Sequence, residues 1–87
     1  MSWKVVLTKE AVKDYRKLEK SGFRDRVHEL FNTLSKNPFK PTDSFEKLMG
    51  DLIGAYSRRI NIQHRLVYYV LKKEHVVKIV SMWSHYE

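Results

Sequence analysis

Three arginines interrupt an apolar stretch in the second half of the chain. Residues 57–69 read Ser-Arg-Arg-Ile-Asn-Ile-Gln-His-Arg-Leu-Val-Tyr-Tyr, two strand-like runs joined by a tight connection. A guanidinium is a planar fork of donors, well matched to phosphate. Arg58, Arg59 and Arg65 therefore suggest an anion lying over this sheet. The plainer alternative is a set of surface ion pairs with Glu46 or Asp51, which would add little to stability. Glu46 is the acidic residue next to the sheet in a chain short of acids. A carboxylate can take a proton, but taken alone Glu46 reads as a surface group. The chain ends Met82-Trp83-Ser84-His85-Tyr86-Glu87. His85 can give or take a proton near neutral pH, and Tyr86 can stack on a base. An ordinary chain end would carry the same residues. His28, His64 and His75 are scattered, without the spacing of a metal site.

Alternation along a strand assigns the arginines to faces. Ile60 and Leu66 flank the connection and should both point into the core. Arg59 and Arg65 then face the open side of the sheet, with Ser57 and Val67 beside them. Arg58 shares the Ile60 side and is expected to reach solvent at an edge, its stem lying along apolar surface.

The elements that must position these groups follow from periodicity. Residues 3–7, Trp-Lys-Val-Val-Leu, form a strand candidate. Thr8 can cap a helix with Glu10 in its first turn, and Ala11, Tyr15 and Leu18 recur at helical spacing. Gly22 suits the position just past that helix. A second helix is expected over residues 23–36, with Val27, Leu30, Phe31 and Leu34 as its apolar stripe and Asn37-Pro38 as its stop. The short Ser21-Gly22 connection predicts an antiparallel helical hairpin. Residues 44–49 can form a short edge strand. Three strands are expected over 55–60, 65–71 and 76–83, the last two joined by a hairpin loop at 72–75. The expectation is an α+β domain of order β-α-α-β-β-β, with both helices on one face of a mainly antiparallel twisted sheet.

A chain of 87 residues holds one domain, and 43% hydrophobic with 13% aromatic residues points to a packed core rather than disorder. With no cysteine, disulfides and thiolate metal sites are excluded. No apolar run is long enough for a membrane span, and Met1-Ser2-Trp3-Lys4 lacks the apolar core of a signal peptide, so a cytoplasmic protein is expected. The net charge of +7 favours a polyanionic partner: nucleic acid, an anionic membrane or an acidic protein.

Taken together, the chain resembles the YoeB/Txe family of bacterial toxins, within the RelE superfamily. The resemblance rests on Ser-Arg-Arg-Ile at 57–60, His-Arg-Leu-Val-Tyr at 64–68, the Gly54 turn, Pro38-Phe39 after the second helix, and His85-Tyr86. It implies a RelE-like fold spanning residues 1–87 and a ribosome-dependent messenger-RNA endonuclease. In such toxins the sugar 2′-hydroxyl attacks the adjacent phosphorus in the ribosomal A site, leaving a 2′,3′-cyclic phosphate. No metal or other cofactor is required. On that pattern Glu46 is the general base, His85 the general acid, and Arg65 the group that stabilises the transition state. Arg59, Tyr86 and Lys47 fall to substrate binding. The resemblance further implies an acidic antitoxin of the YefM/Axe type, operator DNA bound through that antitoxin, and a possible homodimer. Met49 stands where some relatives carry a lysine, with Lys47 close by, and Glu87 extends past the tyrosine that ends some relatives.

Two other functions fit the same residues. A RelE-like module without chemistry would bind antitoxin or RNA and cut nothing. A single-strand RNA-binding domain would use Tyr56, Tyr68, Tyr69 and Trp83 as stacking surfaces, although aromatics on strands more often fill a core.

Overall fold

The computed structural model describes residues 2–83. The chain runs β1 (Lys4–Leu7), α1 (Lys9–Lys20), α2 (Arg24–Lys36), β2 (Glu46–Lys47), a single 3-10 turn (Gly50–Leu52), β3 (Ala55–Arg59), β4 (Arg65–Leu71) and β5 (Val76–Ser81). The five strands form one sheet in the order β1-β5-β4-β3-β2. β1 pairs with β5 in parallel, and every other pairing is antiparallel. This is the expected α+β arrangement, with the edge strand expected over 44–49 reduced to two residues.

The helical hairpin forms for local reasons. Thr8 accepts a bond from the Ala11 amide at 3.2 Å, capping α1. At its other end Gly22 takes φ +85°, and the Phe23 amide reaches back to the Leu18 carbonyl at 2.9 Å. That six-to-one bond and the left-handed glycine close the helix and turn the chain into α2. Ala11 and Leu18 of α1 and Val27, Leu30 and Leu34 of α2 are fully buried. They pack on Ile60, Leu66, Tyr68, Val77 and Ile79, the core face of the sheet.

β5 departs from the simple strand expected over 76–83. Val67 pairs with Ser81, but Tyr68 pairs with Ile79, so β5 carries an extra residue at Val80. Such a bulge shifts the alternation by one. Val77 and Ile79 fill the core before it, and Met82 fills the core after it. The Met82 amide donates to Asp14 Oδ2 at 3.0 Å, which fixes the chain where it leaves the sheet.

Candidate active site

All three arginines lie on the sheet faces expected from strand alternation, but Arg58 does not reach an edge. Arg59 and Arg65 lie directly opposite each other across β3 and β4, and Ser57 pairs with both Val67 and Glu46. Glu46, Ser57, Arg59 and Arg65 therefore share the face away from the helices. Arg58 lies on the core face as expected, but it does not reach solvent: its exposure is 0%. The loop between α2 and β2 folds over it and supplies carbonyl oxygens. Arg58 Nη1 donates to Thr42 O at 2.9 Å and Nη2 to Pro38 O at 3.0 Å. Its Nε donates to the Tyr68 hydroxyl at 3.1 Å, and that hydroxyl donates in turn to Pro38 O at 2.6 Å. The Phe45 ring lies under the guanidinium at 4.7 Å. A buried cation is tolerable where its donors are satisfied in this way.

Arg65 is anchored on the open face. Its Nε donates to Ser57 Oγ at 3.1 Å and its Nη2 to Ser44 O at 2.7 Å. Nη2 also lies 3.6 Å from Glu46 Oε1, an ion pair rather than a hydrogen bond. The two partners differ in exposure: the Arg65 side chain is 13% exposed and the Glu46 side chain 60%. A fixed guanidinium thus sits beside a carboxylate that solvent can reach. Arg59 is exposed, and among the described residues its guanidinium has no ion-pair partner.

Lys47 stands apart from this group. It pairs with Tyr56, so its side chain leaves the sheet on the face opposite to that of Glu46. There it lines a groove of about 320 Å³ with Leu48, Met49, Ile53 and Tyr56. His85 and Tyr86 lie outside the described residues. The chain approaches them through Trp83, whose ring stacks on His64 at 4.3 Å between centroids.

The backbone between α2 and β2 is held by residues that sequence reasoning did not single out. Asp43 and Ser44 both adopt left-handed conformations, at φ 57° and 53°. Two such residues in succession cost about 1 kcal/mol or more each and need outside support. Arg26, on α2, provides it. Its Nη2 contacts Asp43 Oδ1 at 3.1 Å and Arg59 O at 2.7 Å, and its Nε donates to Ile60 O at 3.1 Å. The Arg59 amide completes the join by donating to Asp43 O at 2.7 Å. One side chain thus ties the end of β3 to the loop that delivers Ser44 and Glu46. No local pattern announces a contact spanning 17 residues; the one hint is an aspartate, a residue tolerant of left-handed backbone, at position 43.

A family described as "YoeB-like toxin of bacterial type II toxin-antitoxin system" matches residues 7–86. The chain belongs to the YoeB family. Relatives within it include the YoeB toxin of Synechocystis sp., 36% identical over 62 residues, which are 71% of this chain and 70% of that one. The YoeB toxin of Escherichia coli is 33% identical over 69 residues, covering 77% and 82% of the two chains. Among solved structures, a YoeB/ParE toxin from Agrobacterium tumefaciens superposes with a TM-score of 0.86 at 28% identity, covering 95% of this chain and 99% of that one. The YoeB of a YoeB–YefM complex from Staphylococcus aureus does so with a TM-score of 0.81 at 32% identity, covering 97% and 98%. This YoeB-family protein is therefore a toxin of a type II toxin–antitoxin system with a RelE-like fold. Among its described residues no helix is long and apolar enough to cross a membrane.

Proposed function

We propose that this toxin is a ribosome-dependent endoribonuclease that cuts messenger RNA in the ribosomal A site. The observation that carries this reading is the juxtaposition of Glu46 Oε1 and an anchored Arg65 Nη2 at 3.6 Å. In the proposed step Glu46 takes the proton of a substrate 2′-hydroxyl, whose oxygen attacks the adjacent phosphorus. The bond to the 5′-oxygen breaks, leaving a 2′,3′-cyclic phosphate. His85 protonates the departing oxygen. Negative charge grows on the phosphoryl oxygens during this exchange, and a guanidinium already held by Ser57 and Ser44 stabilises it without first having to reorganise. Arg59 binds a neighbouring phosphate on the same face, Tyr86 stacks on a base, and Lys47 contacts the strand around the sheet edge. The ribosome presents the substrate in line. Because the nucleophile is the substrate's own hydroxyl, the route calls for no metal-bound water and no other cofactor.

The toxin's proposed partner in the cytoplasm is an acidic antitoxin of the YefM type, through which the pair binds operator DNA. Support comes from the Staphylococcus aureus relative, described both as a YoeB–YefM complex and as a YoeB dimer. The chain's charge of +7 suits such a partner.

The decisive experiment uses purified toxin, programmed ribosomes and a message with one 2′-deoxyribose at the attacking position. The natural message should be cut to cyclic-phosphate ends and the deoxy message should survive. Glu46→Gln, Arg65→Ala and His85→Ala should each slow cleavage by at least about a hundredfold, the scale of general acid–base and electrostatic contributions. Cutting of the deoxy message, or equal rates for Arg65→Ala and wild type, would refute the mechanism. Tight antitoxin binding with no cleavage at all would leave the non-cutting module.

A further inference from the structure

β5 runs out into two residues that other elements hold in place. Val67 faces Ser81 across the antiparallel pairing, so two residues further on Trp83 comes level with Arg65. The extra residue at Val80 decides which side chain the core receives there. Unbroken alternation from Val77 and Ile79 would send Ser81 and Trp83 into the core. The bulge advances that alternation by one, so Met82 enters at 0% exposure and Trp83 stays half-buried at the rim. An indole contributes more stability inside a core than at its edge, because the gain scales with apolar area removed from water. Packing alone therefore gives no reason to keep Trp83 out, whereas a bulge beside a site commonly re-aims the chain that follows it.

Three contacts converge on residues 82 and 83. The His64 ring stacks on Trp83 at 4.3 Å between centroids, with 21° between the planes. Lys17 Nζ, on α1, lies 5.6 Å from the centroid of the same indole, within range of a cation–π contact. One residue earlier, Asp14 Oδ2, also on α1, accepts the Met82 amide at 3.0 Å. Trp83 is thus held between a helix and the residue that precedes Arg65.

We propose that Trp83 is a positioning residue: its stack on His64 holds the chain so that the imidazole of His85 can reach the departing 5′-oxygen. This role rests on the endonuclease reading above. Two residues of chain reach about 7 Å at most, so whatever fixes Trp83 level with Arg65 limits the space in which an imidazole two residues later can work. A general acid must come within hydrogen-bond distance of its oxygen, and a misplacement of about 1 Å can cost a hundredfold. Glu46 and Arg65 need no such help. The β2–β3 pairing carries the first, and two serines anchor the second. Loss of the stack therefore damages one proton transfer and spares the rest of the reaction. A base stacking on Trp83 fits these contacts less well, since it would have to displace His64 from that face of the ring.

The test uses a message whose scissile 5′-oxygen is replaced by sulfur. When the 2′-oxygen attacks that phosphorus, the P–S bond breaks and sulfur departs as a thiolate, which needs no proton in order to leave. Single-turnover cleavage at saturating ribosome is measured for the natural and the sulfur message. Trp83→Ala and His64→Ala should each cut the natural message at least about tenfold more slowly than wild type, and the sulfur message within about threefold of it. His85→Ala should show the same pattern with a loss of about a hundredfold or more on the natural message. Arg65→Ala should be slow on both, because charge grows on the phosphoryl oxygens in either case. Trp83→Phe and His64→Phe keep two stacked rings and should cut the natural message within about threefold of wild type. Should Trp83→Ala unfold, as circular dichroism would show, His64→Ala leaves Trp83 and Met82 in place and carries the test. Equal slowing by a folded variant on both messages would overturn the proposal. So would a raised KM at unchanged single-turnover rate, which would assign Trp83 to the substrate, or a loss in His64→Phe as large as in His64→Ala. If sulfur rescued His85→Ala but neither stack variant, the acid would stand and the positioning role would fall. If it did not rescue His85→Ala, that residue would not be the acid, and the reading on which the role rests would fail with it.

Discussion

Arg65 is held from two sides, by Ser57 Oγ at 3.1 Å and by Ser44 O at 2.7 Å, and that constraint separates its task from simple charge. A lysine at 65 would keep the positive charge and lose the fork, so it could not satisfy both anchors and face a phosphate as well. Arg65→Lys should therefore retain ribosome binding and lose about a hundredfold or more in single-turnover cleavage. Near-normal cleavage by this variant would mean that the anchors are incidental. Its neighbour Arg58 poses the converse case. It is buried, each of its three guanidinium nitrogens donates to an oxygen, and it is remote from the open face, so Arg58→Ala should cost about 3 kcal/mol or more of stability by removing the donor to the Thr42 carbonyl and to the Tyr68 hydroxyl and leaving a cavity between them. Tyr68 completes that network, and burial pushes its phenol up to about 12, against the opposing pull of the Arg58 guanidinium. The unfolded phenol ionises near about 10, so the folded state holds the proton more tightly. Stability from this group is whole below pH ~10 and is lost as pH rises from there toward ~12. Urea titrations should show wild type losing stability more steeply across that window than Tyr68→Phe, which has no phenol to ionise. Parallel losses would remove Tyr68 as the cause.

At the scale of elements, the loop between α2 and β2 decides whether Glu46 and Arg65 meet. Arg26 braces its two left-handed residues from a helix on the other side of the sheet. Arg26→Ala should lower the cleavage rate at saturating ribosome by about tenfold or more while changing KM little, the pattern of lost positioning. Arg26→Lys should not rescue it, because one ammonium cannot reach Asp43, Arg59 O and Ile60 O together. A double-mutant cycle of Arg26→Ala with Asp43→Ala should show coupling of about 1 kcal/mol or more in stability; additive losses would dissolve the brace. These contacts also mark what a sequence can disclose. The facing of Arg59 and Arg65 was readable because alternation along a strand is a local rule, and Ile60 and Leu66 fixed its phase. The helices were readable from their stripes, and the Thr8 cap from its neighbours. The burial of Arg58 was not, because the carbonyls that receive it come from residues 38 and 42, in a loop without periodicity. The bulge at Val80 was equally hidden. Residues 76–81, Val-Val-Lys-Ile-Val-Ser, read as one uninterrupted strand, and nothing local says that one residue is extra. The family resemblance assigned roles to Glu46 and Arg65; the serine anchors and the Arg26 brace came only from tertiary structure.

At the scale of the whole molecule, β1 pairs with β5 and the Thr8 amide bonds to Ile79 O at 3.0 Å, so the first strand closes the sheet against the strand furthest from it in sequence among the described residues. The pairings that carry Glu46 and Arg65 sit between that closure and the far edge. A domain of 87 residues has one core, and such domains unfold as a unit. Two tryptophans allow this to be checked from opposite ends. Trp3 stacks on His75 at 3.9 Å beside β1, and Trp83 stacks on His64 beside the candidate site. Trp3→Phe and Trp83→Phe each leave one reporter. Within each variant, urea midpoints from fluorescence, from far-UV circular dichroism and from loss of cleavage activity should coincide, with a common slope of about 1 kcal/mol per molar. Val5, half-buried against the core in β1, extends the same logic: Val5→Asp should lower all three midpoints together and leave the cleavage rate of the folded fraction unchanged. If activity were lost well before the Trp3 end unfolds, the site would be a separately melting unit, and anchoring by the β1–β5 closure would be refuted.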